Sequence, residues 1–149
     1  LLCSRGNIQD GIKVVNAVRD RFDGEKRNPW NEFECGSNYA RSMASFALLP
    51  ILSGFIFDLP NGKIGFNPKI NKNNFKAFWS LGTGWGNVEI NSSTKINIKS
   101  GYLTLSKVEL PYLEKATKVI IDDKETEFTF ENNIISFKET TIKNQIQII

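Results

Sequence analysis

The sequence predicts an α+β fold, with a pair of helices first and a mainly antiparallel, sandwich-like β-domain after them. Before Gly54, apolar residues recur every three or four positions, which is typical of helices; after it they alternate with polar residues, which is typical of strands. Turn residues also interrupt the second part about every ten positions, as they do in β-sandwiches. The predicted domains are therefore residues 1–54 and 55–149.

The first predicted helix begins after Asn7, a residue type that caps helix N-termini, with Asp10 three positions on as a short capping box. The sequence "DGEKRNP", residues 23–29, contains glycine and proline and ends the helix. We therefore expect an amphipathic helix of about four turns. Its apolar stripe consists of Ile8, Ile12, Val15, Val18 and Phe22.

A second helix is predicted from about Asn38 to Ser53, with Gly54 as its C-terminal cap. Its only charged residue is Arg41, and its apolar residues leave no polar face. A helix that is apolar on all sides is normally buried in a large core. Two helices cannot bury such a surface between themselves, so we expect the β-domain or further chain to cover it.

After Gly54, alternating apolar residues predict roughly eight to ten short strands separated by turns. The sequence "PNGK", residues 60–63, marks a turn, and "GTG", residues 82–84, marks a hairpin. "GTGWG" is not a phosphate loop, because strands flank it and no lysine followed by serine or threonine comes after it. The predicted strands lie at residues 55–59, 64–66, 75–81, 85–90, 96–98, 102–105, 119–121, 127–130, 134–137 and 146–149.

Composition excludes several classes of function. The net charge is +3 and the lysines are scattered, so no nucleic-acid binding is expected. The longest apolar run, residues 46–52, is far shorter than the roughly 20 residues of a membrane span. Histidine is absent, and no metal or cofactor is predicted. Cys3 and Cys35 suggest no disulfide framework, so a cytoplasmic location is expected, and Cys35 has no histidine to activate it as a nucleophile.

The sequence "RNPWNEFECGSNYARSMAS", residues 27–45, places many hydrogen-bonding groups beside the apolar second helix. Arg41 is costly to bury unless carboxylates satisfy its guanidinium, and Glu32 and Glu34 lie just upstream. One interpretation is a structural latch between Arg41 and one glutamate. The other is a polar pocket floor that binds a hydroxylated ligand. The two glutamates are poor candidates for a glycosidase's catalytic pair, because they lie two residues apart on one predicted loop and cannot easily straddle a sugar ring.

Aromatic residues offer a further candidate site. Trp30 and Tyr39 could add stacking surface to a pocket around Arg41, or they could be ordinary core residues. The same two interpretations apply to aromatic residues of the β-domain, which could form a sugar platform or fill the sandwich core. These residues are Phe75, Phe78, Trp79 and Trp85.

The sequence "KRNPWNEFECGSNYARSMASFALLPILSGF", residues 26–55, resembles a segment near the C-terminus of family 116 glycoside hydrolases. This family includes the non-lysosomal β-glucosylceramidases and prokaryotic β-glucosidases. The resemblance covers roughly Gly11 to Gly86, including "GFNP" and "FWSLGTGWG", and is most specific at residues 27–45. The β-rich chain beyond about Gly86 departs from the shorter members of the family.

The resemblance implies that the two helices are the last pair of an (α/α)6 barrel in a retaining β-glucosidase. The family's catalytic glutamate and aspartate lie upstream of the matching segment, so no catalytic residue is carried over. In the family's motif a glutamate precedes an arginine by nine residues, and both bind hydroxyls of the glycone sugar. Glu32 and Arg41 match this spacing and are the expected substrate-binding residues; Trp30, Asn31 and Glu34 are possible pocket neighbours.

The expected partners follow from the same resemblance: a β-glucoside or related carbohydrate, and an upstream part of the same polypeptide. The chain begins with "LLCSRGN", without an initiator methionine or a signal-peptide pattern, which also suggests part of a longer protein. Two other hypotheses remain open. The β-domain could be a non-catalytic carbohydrate-binding or scaffolding module that uses Trp79 or Trp85, or the chain could be a truncated product with a structural role.

Overall fold

The computed structural model describes residues 1–28 and 43–149 of the chain. The chain divides into two compact units, Leu1–Ile51 and Leu52–Ile149. Among the described residues, helices precede Gly54 and mainly antiparallel strands follow it. The predicted α+β class is therefore confirmed.

The first helix, α1 (Ile8–Arg21), matches the predicted extent, but its start is fixed differently. The side chain of Asn7 makes no capping hydrogen bond to the described part of the chain. Instead, a short 3-10 turn at Cys3–Arg5 packs against the helix. Cys3 is buried, and any side chain at Gly11 would collide with its Sγ. Close packing of this turn on a glycine therefore replaces the predicted capping box.

The predicted second helix is divided by a turn at Ala47 into α2 (Met43–Phe46) and α3 (Leu48–Ser53); residues 38–42 lie outside the described residues. Gly54 has a left-handed φ of 57°, as predicted for the C-terminal cap. The N–H of Asn67 donates to the carbonyl oxygens of Ser53 and Gly54, each at 3.1 Å. The helix end is thus tied to the β unit's own backbone.

The β unit contains eleven strands among the residues that the structure describes. They are β1 (Ile56–Asp58), β2 (Lys63–Gly65), β3 (Phe75–Leu81), β4 (Gly84–Ile90), β5 (Thr94–Gly101), β6 (Leu103–Glu109), β7 (Val119–Ile121), β8 (Lys124–Glu125), β9 (Thr129–Glu131), β10 (Ile134–Ile142) and β11 (Gln145–Ile148). One sheet has the order β1-β2-β6-β10-β9 and the other β3-β4-β5-β11-β7-β8. The pair β2 and β6 is parallel, and the other described pairs are antiparallel.

Both sheets contribute to one hydrophobic core, which makes the unit sandwich-like. Alternation along each strand separates the two faces of a sheet; in β4, Val88 and Ile90 are buried, whereas Trp85, Asn87 and Glu89 are not. The fully buried side chains come from both sheets and include Ile64, Phe66, Trp79, Val88, Ile96, Leu103, Leu105, Ile135 and Ile146.

The strands depart from the predicted segments where polar residues dominate. Strand β10 continues to Ile142, five residues beyond the predicted end, because Thr140, Thr141 and Ile142 pair with β6 after an irregularity that follows Ser136. Strand β8 lies between the predicted strands 119–121 and 127–130, where no strand was predicted; both of its residues are exposed at a sheet edge. The predicted "GTG" hairpin is confirmed, because Leu81 pairs with Gly84 and leaves a two-residue turn between β3 and β4.

Asp122 connects the turn that follows β7 with the turn between β10 and β11, at which the chain passes from one sheet to the other. Its backbone is left-handed, and its carboxylate accepts hydrogen bonds from the N–H groups of Lys143, Asn144 and Gln145 at 2.8, 2.8 and 3.0 Å. Burial raises the pKa of Asp122, but the three backbone hydrogen bonds outweigh it and hold this pKa below its ordinary value. The ionised carboxylate therefore stabilises the turn between β10 and β11.

We expect Asp122→Ala to lower the free energy of unfolding by about 1–2 kcal/mol at neutral pH, because three donors lose their acceptor. Since the folded pKa lies below the unfolded one, this contribution is complete above the unfolded pKa and is lost as the pH falls through the folded pKa. Urea unfolding of both proteins at neutral and acidic pH measures it. Asp122→Asn, which keeps an oxygen acceptor and tolerates the left-handed backbone, should lose less. If Asp122→Ala lowered the free energy of unfolding by the same amount at every pH, this role of the ionised carboxylate would be contradicted.

Candidate functional site

The predicted pocket residues all fall in one segment that the structure does not describe. Residues 29–42 lie outside the described residues, so the roles predicted for its side chains stay predictions. The residues concerned are Trp30, Asn31, Glu32, Glu34 and Arg41, together with Cys35 and Tyr39.

The described helices on either side of this segment line an apolar groove within the first unit. Its cavity volume is about 430 Å³, and no described residue that lines it has a charged side chain. Val14 and Val18 on α1 are more than half exposed, as is Phe46 on α2. Most of the described residues that line this groove are apolar, so it is a hydrophobic contact surface. It is lined by Leu1, Leu2, Cys3, Gly11, Val14, Val15, Val18, Ser45, Ala47, Leu48 and Ile51.

A second candidate site lies on the outer face of the six-stranded sheet, and we call it the aromatic face. Phe78 on β3 and Trp85 on β4 are 45% and 46% exposed, and their ring centroids lie 6.0 Å apart with the ring planes at 40°. They border a shallow depression of about 260 Å³. The aromatic face consists of Lys76, Phe78, Trp85, Asn87, Glu89 and Lys99.

Hydrogen bonds hold the polar part of the aromatic face in place. Oε1 of Glu89 accepts from Nζ of Lys76 at 2.7 Å and from Nδ2 of Asn87 at 2.8 Å. These bonds, that from Lys76 most strongly, hold the pKa of Glu89 below its ordinary value, so the carboxylate is ionised near neutral pH and is an acceptor, not a proton donor. Oδ1 of Asn87 is buried and accepts no hydrogen bond from the described residues.

Trp79 lies on the opposite face of the same strand, so the prediction that it could form a platform is wrong. Its side chain is only 1% exposed, and its Nε1 is buried without an acceptor among the described residues. Gly86 on β4 makes room for it, since a Cβ there would lie 3.0 Å from the Trp79 ring. Phe75 is likewise buried. Of the four aromatic residues proposed for a platform, only Phe78 and Trp85 remain.

A third depression, of about 240 Å³, is lined in part by Thr94 and Tyr112. The hydroxyl of Tyr112 and Oγ1 of Thr94 lie 2.6 Å apart and share a hydrogen bond. Burial raises the pKa of Tyr112 to about 12, and the bond to Thr94 opposes this only in part. The two hydroxyls satisfy each other, which indicates a structural role.

The described residues contain neither a cluster of metal ligands nor a helix that could cross a membrane. No group of three or more histidine, cysteine, aspartate or glutamate side chains there could hold a metal ion. None of the helices in that part of the chain has the length and apolar character needed to span a bilayer.

No model of a known protein family matches this chain, and neither does any curated protein. Function is therefore inferred from the family resemblance in the sequence and from the surfaces described above.

Proposed function

We propose that this chain is the C-terminal part of a retaining β-glucosidase of the family 116 type, in which Glu32 and Arg41 bind the glycone. The proposal rests on the sequence of residues 27–45, which resembles the family's glycone-binding motif. In this segment a glutamate precedes an arginine by nine positions, as in the motif. The two catalytic carboxylates would come from an upstream part of the same polypeptide, as the resemblance implies.

The chemistry of the two side chains suits glucoside recognition. Sugar hydroxyls both donate and accept hydrogen bonds; the Arg41 guanidinium supplies several donors in a fixed plane, and the Glu32 carboxylate supplies acceptors. In a water-poor pocket such charge-assisted bonds are strong, and a substrate lacking the matching hydroxyl leaves a charged group unpaired. The pair would therefore position the glycone for a double displacement by the upstream carboxylates.

The helices that flank this segment support the proposal. Val14 and Val18 on α1, with Phe46 on α2 and Leu49 on α3, are exposed apolar residues. In a helical barrel the last helices pack against preceding ones, and these residues would be buried in that contact. Exposed apolar residues of this kind are thus expected on the last helices of a larger helical domain when the preceding helices are absent.

A cytoplasmic location belongs to the same proposal. Cys3 is a free, buried thiol, and the chain's other cysteine, Cys35, lies 32 positions away. Thiols without a disulfide framework are typical of reducing compartments.

In the longer polypeptide, we expect Arg41→Ala to raise KM, lower kcat and reduce kcat/KM by about 30-fold or more. Truncating one partner of a buried, hydrogen-bonded charge pair typically costs about 2–5 kcal/mol, part of which is lost in the transition state. Arg41→Lys keeps the charge but not the planar set of donors and should recover only part of the activity. Steady-state kinetics on an aryl β-glucoside measure these changes.

Arg21→Ala is the matched control, because Arg21 is an exposed arginine at the end of α1 and should leave the kinetics unchanged. Circular dichroism and thermal unfolding verify that each variant is folded. A folded Arg41→Ala enzyme with unchanged kinetics would contradict the glycone role and return Arg41 to the structural latch.

A second candidate function, carbohydrate binding by the β unit, is favoured by the paired exposed rings of Phe78 and Trp85. Binding at this surface would involve no catalysis by the β unit. It is compatible with the first proposal, because it uses different residues.

A further inference from the structure

We propose that the aromatic face binds a neutral oligosaccharide of β-linked pyranoses with equatorial hydroxyls. This inference rests on the second candidate function and names its site and ligand class. Phe78 and Trp85 would contact the C–H faces of the sugar rings, while Asn87, Glu89 and Lys99 would bind their hydroxyls.

The two rings form a contiguous apolar patch on an otherwise polar sheet surface. Single exposed apolar residues are common on proteins, but adjacent aromatic rings rimmed by polar groups indicate a binding surface. Ser80 pairs with Trp85 across β3 and β4, and Asn97 pairs with Asn87 across β4 and β5, so polar residues surround the two rings.

The mixture of groups favours a sugar over other partners. An all-equatorial pyranose presents weakly positive C–H groups on both faces, which suit the negative face of an aromatic ring, and carries hydroxyls around its edge. Glu89 is an ionised acceptor, and about a third of its side chain is exposed. An apolar protein surface docked here would desolvate this carboxylate without supplying further donors, which is unfavourable. A phosphate backbone would be repelled by Glu89, which already holds Lys76.

A local irregularity of the sheet directs side chains toward this depression. The pairing of β4 with β5 shifts between Trp85, which pairs with Ser100, and Gly86, which pairs with Ile98. Lys99 is therefore the extra residue of a β-bulge, a feature that often re-aims side chains next to functional sites. Both Trp85 and Lys99 border the depression.

The test is calorimetric titration of the 149-residue chain with cellohexaose. We expect measurable binding that is weakened about tenfold or more in Trp85→Ala and also weakened in Phe78→Ala, because truncated aromatic residues at binding sites commonly lose this much affinity. Phe57→Ala is the matched control; Phe57 is 60% exposed on β1, in the other sheet, and its loss should leave the affinity unchanged. Circular dichroism establishes that the variants are folded.

Other results would overturn the inference in distinguishable ways. Unchanged cellohexaose binding by folded Trp85→Ala would disprove the site, although carbohydrate binding itself would stand. No binding by the unaltered chain would overturn both. Equal affinity for maltohexaose, which is α-linked, would contradict the ligand class. Self-association in sedimentation experiments that Trp85→Ala abolishes, without sugar binding, would assign the aromatic face to a second copy of the chain.

Discussion

Trp79→Ala is expected to lower the free energy of unfolding of the β unit by about 3–5 kcal/mol, the usual cost of truncating a large buried aromatic residue. The indole is 1% exposed and belongs to the core that both sheets share. Its removal deletes buried apolar surface and leaves a cavity that the β3–β4 hairpin, paired along its whole length, cannot readily close. Since the free energy of unfolding of a domain is only about 5–15 kcal/mol, the variant would lose a large part of its stability.

Urea unfolding monitored by circular dichroism measures this loss. Phe78→Ala is the internal control, because Phe78 is the neighbouring aromatic residue on β3 and its side chain lies on the exposed face. We expect this substitution to lower the free energy of unfolding by less than about 1 kcal/mol. Trp79→Phe should cost much less than Trp79→Ala, since it keeps an aromatic ring and removes an Nε1 that has no acceptor among the described residues. Equal losses for Trp79→Ala and Phe78→Ala would contradict the assignment of the two faces of β3.

The fold was predictable largely because one face of each sheet is buried. Period-two alternation gives each long strand a clear signal, and β3 runs from Phe75 to Leu81 as predicted. Polar or very short strands give no such signal, which explains the missed extension of β10 and the missed β8. The turn at Ala47 has a cause in the sequence, because Pro50 has no N–H to donate to the carbonyl of Phe46, four residues earlier, and thereby interrupts the helix.

Part of the aromatic face could also have been predicted from the sequence. Phe75, Ala77, Trp79 and Leu81 share one parity along β3, so the alternation that predicted the strand could already have assigned Trp79 to the core and Phe78 to the surface. The approach of Lys99 to Trp85 could not be predicted, because it depends on a bulge that shifts the pairing register. The alternation of apolar and polar residues does not predict where such a shift in pairing register occurs.

The residues proposed to bind the glycone could not be identified from the pattern alone. Periodicity predicted Arg41 on an apolar helix and left a latch and a pocket as its two interpretations, of which it favoured the latch. Only the family resemblance of residues 27–45 singled out Glu32 and Arg41. The roles of these two residues remain proposals that depend on measurements of activity.

Alone, the 149-residue chain is expected to hydrolyse an aryl β-glucoside no faster than buffer does, whereas a longer polypeptide that includes it and the upstream catalytic residues should be active. Retaining hydrolysis needs two carboxyl groups about 5–5.5 Å apart on opposite sides of the glycosidic bond, and Glu32 and Glu34, two positions apart in the sequence, are poor candidates for that pair. Since enzymes typically accelerate reactions by about 10⁶-fold or more, the two polypeptides should differ by a very large factor.

The release of the aryl group by the two polypeptides, measured side by side at equal concentration, tests the central claim most directly. We predict activity from the longer polypeptide, with the β-anomer of glucose as its first product by NMR, and none from the 149-residue chain. Robust hydrolysis by the 149-residue chain alone, or a well-folded longer polypeptide that cleaves no β-glucoside, would contradict the claim.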